Sequence, residues 1–301
     1  MYNDDPITPV HTPEGGFILI PVLVTIGLLS LIAMTLAKST MTDVRSVAYQ
    51  QRLAVAEAMA DGVARLAVRR IVTDRAAGRD SSSGAIPPTD GRSVACRMLG
   101  ATMVITVQDA GGLIDLNTAP QDLIAMMFIS VGLARDEAAR LAAAIIDFRD
   151  SDHTPVSGGA EIAEYRAAGL PFGPKNAPFA SITELDQVFG MSAEIVARIR
   201  GLVTVSSSSR GIDANVANAR LREFSRQTEF AVPSNGRAFQ LRVTAATDLG
   251  GASFTRDVIF EPNLRAQSGF VITNWRRGFT DAFDAQAGSD LGSCLDLTLP
   301  D

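Results

Sequence analysis

The stretch from Gly15 to Ala37 reads GGFILIPVLVTIGLLSLIAMTLA and contains no charged residue. As an α-helix it rises about 1.5 Å per residue, so it covers roughly the 30 Å hydrocarbon core of a bilayer. A helix on the surface of a soluble core needs an apolar stripe on one face only, whereas every face is apolar here. The stretch therefore predicts one membrane-spanning helix near the N-terminus.

The helical pattern continues beyond this apolar stretch. Apolar residues narrow to a single stripe that includes Val55, Val63 and Leu66, and polar residues occupy the other faces. Spacing of mostly three and four residues is typical of an amphipathic helix. The sequence predicts one helix that begins in the membrane, emerges from it and ends near the Ala76-Ala77-Gly78 break.

A secretory signal peptide is the alternative interpretation of the apolar stretch. The stretch is longer than a usual signal core, and its small residues, Gly15 and Gly16, precede it instead of following it. A cut between Gly16 and Phe17 would leave the apolar helix on the mature protein. This junction resembles the leader that prepilin peptidase cleaves and N-methylates in type IV pilins and pseudopilins.

Composition and charge limit the classes of function. The chain of 301 residues is 47% hydrophobic and has a formal net charge of −6, so it has no overall electrostatic attraction to nucleic acid. Cys96 and Cys294 could form one disulfide in an oxidising periplasm, and their spacing leaves the pairing open. Two cysteines alone cannot make a zinc site.

Strand patterns lie on both sides of a helical region. Residues 102–108 are β-branched, and residues 239–247 and 253–260 alternate with period two around a hairpin turn. Four helical patterns occupy the region between them: one at 119–128, one at Arg135–Arg149, a third that starts at Ser181 and a fourth that ends near Arg200. A loop is expected over 151–178. This order predicts an α+β fold in which helices are inserted into one sheet.

Several motifs together resemble one family, protein K of the type II secretion system, which are minor pseudopilins. The motifs are Leu113–Pro120, Ile146–Asp152, Gly158–Glu161 and Asn176–Leu185. The resemblance covers roughly residues 16–275 and is specific because of the combination. It implies a non-enzymatic subunit at the tip of a short periplasmic pseudopilus, which exports folded proteins across the outer membrane.

The resemblance also implies the architecture. A long N-terminal membrane and pilin helix would precede a pseudopilin antiparallel sheet that carries a large inserted α-helical subdomain. The expected segments are a prepilin-type leader at 1–16, a transmembrane and pilin helix at 17–78, the first part of the sheet at 79–116, the inserted α-subdomain at 117–200, the rest of the sheet at 201–277 and an acidic tail at 278–301.

Partners and location follow from the same resemblance. Other minor pseudopilins, the major pseudopilin and prepilin peptidase are the expected partners, and no nucleic acid is expected. The chain would cross the bacterial inner membrane once, with its C-terminal domain in the periplasm. Major subunits carry Glu at the fifth mature position, whereas Pro21 occupies it here. Without that carboxylate the pairing with a neighbour's N-terminal amine is lost, as expected for a tip subunit.

Four carboxylates, Asp147, Asp150, Asp152 and Glu161, form the candidate metal site. If Asp150 is the first position of a calcium loop, Asp152 is the third and Glu161 the twelfth, which is the order of calcium ligands in such loops. The ordinary alternative is a solvated helix end. The resemblance to protein K implies calcium in this α-domain, bound for a structural purpose.

The helical region allows a second interpretation, a helix-hairpin-helix module for DNA binding or a DNA-uptake pilus. Its evidence is a weak repeat that includes Phe189-Gly190-Met191-Ser192, although Ser192 stands where the second hairpin glycine would be. A plain membrane-anchored binding module is a further alternative. No nucleophile elbow and no phosphate-binding loop occurs in the sequence, so no catalytic residue is predicted.

Overall fold

The computed structural model describes residues 19–78, 87–226, 229–248, 252–263, 265–278 and 290–294. The chain forms two compact units, Met1–Arg52 and Leu53–Asp301. The predicted cleavage junction at Gly16 and Phe17 lies outside the described residues.

The first helix, α1, spans Leu19–Ala76. Its end agrees with the break predicted from the sequence, and Gly78 follows with a φ of +68°, which a residue without Cβ adopts without strain. Pro21 lies in the first turn, where its missing N–H would have no helical partner in any case. None of the helices formed by described residues combines the length and the apolar character needed to cross a bilayer.

The remaining elements alternate between strands and helices. The strands are β1 Asp90–Met98, β2 Ala101–Asp109, β3 Ile114–Asp115, β4 Val203–Thr204, β5 Phe239–Thr247, β6 Ser253–Pro262, β7 Phe270–Arg277 and β8 Asp290–Ser293. The helices after α1 are α2 Gln121–Ser130, α3 Arg135–Arg149, α4 Ile162–Ala167, α5 Ala193–Ile199 and α6 Ala219–Arg226. Short 3-10 helices cover Ala110–Gly112 and Ile182–Gln187.

Six strands form the main sheet in the order β7-β6-β5-β2-β1-β8. All neighbours are antiparallel except β1 and β8, which are parallel. At the centre, β2 pairs with β5 from Ala101↔Thr247 to Asp109↔Phe239. These two strands lie on either side of the helical region in the sequence, which confirms the α+β fold with helices inserted into one sheet.

The part of α1 within the second unit packs on this sheet through small residues. Ala56, Ala60, Ala64 and Ala67 are fully buried, whereas Val55 in the predicted stripe is 48% exposed. Val63 of the predicted stripe is fully buried beside these alanines, so the buried face overlaps the predicted stripe and is shifted toward the alanines, which let the helix approach the strands closely.

An ion-pair cluster ties this helix to the sheet. The buried Arg256 of β6 donates to Asp61 at 2.6 Å and to Glu57 at 2.8 Å, and both acceptors lie on α1. The Arg256 guanidinium also lies over the Trp275 ring, with 5.4 Å between Cζ and the ring centroid. A buried cation at this position has its charge matched on one side and an aromatic face on the other.

Two strands at one edge of the sheet were not predicted. β1 is rich in polar residues, and its only buried apolar side chains are Val94 and Cys96, which face the core. β8 lies within the segment expected to be an acidic tail. Cys294 follows β8 directly and forms a disulfide with Cys96, with 5.0 Å between the two Cα atoms, so the pairing left open by the sequence is made.

The helical region differs from the prediction in three details. The short helix α4 interrupts the loop expected over 151–178. The helix expected from Ser181 is a 3-10 helix over Ile182–Gln187. β3 and β4 pair in parallel as a separate two-stranded sheet, so they do not join the main sheet as expected. This pair holds the start and the end of the helical region together at its base.

Candidate metal centre

The acidic residues meet where α3 ends and α4 begins. Asp147 lies in the last turn of α3, and Asp150 is the residue that caps the C-terminus of that helix. Glu161 is the N-terminal cap of α4, and its backbone N–H donates to the Glu164 carboxylate at 2.8 Å. The chain between the two helices is therefore folded back so that the end of α3 and the start of α4 share one site.

Three of the four predicted ligands come together directly. One carboxylate oxygen from each of Asp150, Asp152 and Glu161 lies within 4.8 Å of the others. Glu161 is only 3% exposed, whereas Asp152 is at the surface, where its Oδ1 accepts the Thr154 backbone N–H at 2.8 Å. The group thus has one deeply buried carboxylate and one side open to solvent.

The site also contains unusual buried acceptors. Within the described residues, five buried side-chain oxygens here have no hydrogen-bond partner: Asp147 Oδ2, Asp150 Oδ1, Glu161 Oε1 and Oε2, and Asn176 Oδ1. Buried acceptors are normally satisfied, since an unmade hydrogen bond costs about 1–3 kcal/mol each. Five together form a set of oxygen atoms that could serve as ligands of a cation.

Asp147 lies beside the group of three and is held in place by the backbone. Its Oδ1 accepts the Val156 N–H at 2.9 Å, while Oδ2 is buried without a partner. Gly159 approaches so closely that a Cβ at this position would collide with the Asp147 carboxylate. Gly159 is therefore explained by packing of the loop onto the acidic site, whereas Gly158 is explained by its positive φ of +82°.

Sequence reasoning missed one contributor, Asn176. Its backbone has a φ of +50°, and its Nδ2 donates to the Asp152 carbonyl at 2.7 Å. Its Oδ1 is among the unpartnered buried oxygens. The available signal was that Asn176 begins one of the family motifs, but nothing local to it indicates a ligand.

Burial and mutual repulsion raise the pKa values of these acids. Burial raises the pKa of Asp147, and the charges of Asp150 and Asp152 raise it further. Burial likewise raises the pKa of Asp150, with a contribution from Asp152. Burial and the neighbouring Asp147 charge raise the pKa of Glu161. The carboxylates are therefore destabilised by one another, and a divalent cation would remove that cost.

The donor set fits a hard cation. Carboxylate and amide oxygens from four acids and one asparagine lie at the site, and the group of potential metal ligands found among the described residues contains no cysteine and no histidine. Oxygen-only sites favour calcium or magnesium over zinc or copper. Several oxygens on irregular loop backbone suit the larger, more flexible coordination shell of calcium.

The repeat that suggested DNA binding corresponds to two short connections that precede helices. Gly132, between α2 and α3, and Gly190, before α5, both have positive φ. The surroundings do not favour phosphate, because Ser192 Oγ caps α5 by accepting the Ile195 N–H, and Arg198 pairs with Glu194 at 2.5 Å. The DNA-binding alternative is not favoured.

Comparisons with known proteins agree with the motifs. Residues 105–208 match the family model of type II secretion system (T2SS), protein K. Over 80 residues the chain is 29% identical to the type II secretion system protein K of Pectobacterium carotovorum subsp. carotovorum. This match covers 27% of the chain and 24% of the relative, so it spans about a quarter of that relative's length.

A solved structure shares the fold. A chain of the crystal structure of the GspK-GspI-GspJ complex from the enterotoxigenic Escherichia coli type 2 secretion system matches with a TM-score of 0.51 at 16% identity. The match covers 80% of this chain and 99% of that chain. The likeness to the protein K family predicted from the motifs is confirmed.

Proposed function

We propose that the protein is a minor pseudopilin of the protein K type, a non-enzymatic subunit at the tip of a type II secretion pseudopilus. The observation that carries this proposal is the helical region inserted between β2 and β5, because most of this region lies in the segment that matches the family model. A rigid helical addition on a pilin-like sheet suits a subunit that ends a filament.

Pro21 supports the tip position. It occupies the fifth position after the proposed cut at Phe17, where it supplies no carboxylate for a neighbouring amine. A subunit without this group lacks one contact with the subunit above it. The insertion would cover the top of the stack, so growth beyond this subunit would be blocked.

The apolar segment 15–37 would anchor the chain in the inner membrane before assembly, with the sheet in the periplasm. Its support is the absence of charge over a length that matches a bilayer. Residues 15–18 of this segment lie outside the described part of the chain. The Cys96–Cys294 disulfide fits an oxidising compartment such as the periplasm.

We also propose that Asp150, Asp152, Glu161 and Asn176 hold a structural calcium ion, with Asp147 beside it. The ion would neutralise the converging carboxylates. The chain's own residues do the rest: α3 and α4 supply fixed helix ends, and Gly159 lets the loop pack on Asp147. The role would be to fix the loop between these helices in one conformation.

The partners would be the other minor pseudopilins and the major pseudopilin. The solved structure that shares the fold is described as a GspK-GspI-GspJ complex. The test is co-expression of the tagged full chain with the corresponding subunits of its own system, followed by affinity purification. Recovery of a stoichiometric complex supports the proposal. Recovery of the chain alone, together with salt-dependent retention on DNA, would support the DNA-uptake alternative instead.

A further inference from the structure

An open groove of about 520 Å³ lies between α1 and β7. Its lining residues are Arg65 and Arg69 of α1 and Phe270, Ile272 and Trp275 of β7. β7 is an edge strand, so the side of the groove away from β6 has no further strand of the main sheet beside it within the described residues. The groove is therefore a candidate docking surface.

The floor of the groove is apolar and partly exposed. Phe270 and Trp275 pack against the main core, while Ile272 remains 39% exposed. Thr273 is a bulge, because Asn274 pairs with Ile259 and Ile272 pairs with Phe260, which leaves Thr273 without an opposite residue. The extra residue returns Ile272 and Trp275 to the same face of the strand.

Two arginines form the wall on the α1 side. Arg65 and Arg69 are one helical turn apart and exposed, and neither makes an ion pair within the described part of the chain. The Arg65 guanidinium lies over the Trp275 ring, with 5.3 Å between Cζ and the ring centroid. The nearby Arg256 contrasts with them, since its charge is matched by Glu57 and Asp61. The wall is thus a local concentration of unmatched positive charge on a chain of net charge −6.

The edge of β7 is poorly suited to addition of another strand. The Thr273 bulge interrupts the regular row of backbone hydrogen-bonding groups, and Arg276 and Arg277 place exposed charges near its end. Bulges and edge charges are the features with which sheets avoid pairing with a further strand. An occupant would therefore contact the groove through its side chains.

We propose that the groove between α1 and β7 docks an amphipathic helix of a partner protein. This helix carries an apolar face and two carboxylates one turn apart. Its apolar side chains would cover Phe270, Ile272 and Trp275. Residues four apart on a helix are about 5–6 Å from each other, so Glu or Asp at that spacing would face Arg65 and Arg69 together. An amphipathic helix in a groove is a common recognition mode, and matched charges at its rim select the partner.

Trp275 supplies a direct readout, because it is the only tryptophan of the chain. The probe is a synthetic helical peptide of about 18 residues, a length that supports a helix in water, with a leucine face, glutamates four apart and no Trp or Tyr. It is titrated into the full chain in nanodiscs of zwitterionic lipid. We expect saturable movement of Trp275 emission to shorter wavelength, and roughly tenfold weaker binding by a peptide with glutamine in place of glutamate.

Charge reversal distinguishes specific docking from nonspecific binding. The double variant Arg65→Glu, Arg69→Glu should lose the glutamate peptide and gain a matching lysine peptide. Arg276→Glu is the control, since it changes an exposed charge on β7 that does not line the groove. Equal binding of glutamate and lysine peptides by the unaltered chain would overturn the proposal. An absent response of Trp275 would also overturn it, as would an equal response to phosphatidylglycerol vesicles, which would indicate a lipid-binding surface.

Discussion

Cys96 in β1 and Cys294, which directly follows β8, are joined by a disulfide across a sequence separation of 198 residues. Both cysteines are fully buried in the core beneath the main sheet. The bond attaches the C-terminal strand to the edge of the sheet, where β8 pairs with β1 at only two positions, Ala95↔Asp290 and Arg97↔Ser293. A strand with so few pairs depends on the covalent link.

The disulfide should therefore determine the stability of this edge. Replacing Cys96 and Cys294 together by Ser should lower the free energy of unfolding by about 2–5 kcal/mol, because the unfolded chain loses a long-range constraint. Thermal unfolding of the full chain measures it, and the unaltered chain in reductant is the matched control. A reduced chain that melts at the same temperature as the oxidised chain would contradict the prediction.

Calcium should raise the melting temperature relative to chelator, since the ion binds the folded chain. The gain is about 2.7 kcal/mol when free calcium is a hundredfold above Kd. Asp152→Ala and Glu161→Ala should shrink this difference, whereas Asp186→Ala should not, because Asp186 is exposed and outside the site. Differential scanning calorimetry gives the comparison.

Glu161→Gln offers a sharper version of the same test. Burial and the Asp147 charge disfavour the ionised Glu161, as its raised pKa shows. The neutral amide should therefore make the metal-free chain more stable than the unaltered one while removing most of the response to calcium. Identical curves for the unaltered chain in calcium and in chelator would mean that these residues bind no calcium.

Processing should occur between Gly16 and Phe17. The expected result is a mature chain that begins at Phe17 with a methylated amine, because the small residue directly precedes the uncharged helix. N-terminal sequencing and intact mass of membrane-extracted protein measure it. A start beyond residue 38 would mean removal of the whole apolar stretch, and the pseudopilin interpretation would then be wrong.

Pro21→Glu should change the position of the subunit in the filament. The new carboxylate would allow the contact that major subunits make, so the variant should compete for places below the tip and alter pseudopilus length. Site-specific cross-linking to the major pseudopilin is the measurement, and Pro21→Gln is the control for loss of the ring alone. Unaltered protein found along the whole filament would disprove the tip position.

Asp90 at the start of β1 should make the free energy of unfolding depend on pH in the acidic range. Burial opposes its ionisation, but hydrogen bonds from Arg92 and Arg222 outweigh burial and lower its pKa. A lowered folded-state pKa contributes stability above the ordinary value of 3.8, and that stability is lost as the pH falls through the folded-state value. Asp90→Asn should cost about 1 kcal/mol at pH 7, with the difference from the unaltered chain closing in acid. Denaturant unfolding of both chains, from about pH 7 to below the ordinary pKa of 3.8, measures this difference.

The sequence by itself determined the local elements. Periodicity and helix-breaking residues predict the end of α1, the bounds of α3 over Arg135–Arg149 and the strand β5. The predicted bounds agree with those in the structure to within a few residues. The same local reasoning brought Asp150, Asp152 and Glu161 into one candidate site, because their spacing along the chain follows a calcium loop.

Only the tertiary structure decided the features that depend on distant partners. β1 has few apolar residues and is a strand because β2 and β8 pair with it, while β8 is bonded through Cys294. The buried face of α1 follows the alanines instead of the larger Val55, because close approach to the sheet sets the packing. Asn176 joins the acidic site from a loop whose position local patterns do not predict. Local propensity acts over a few residues, whereas burial and pairing depend on what the rest of the chain brings alongside.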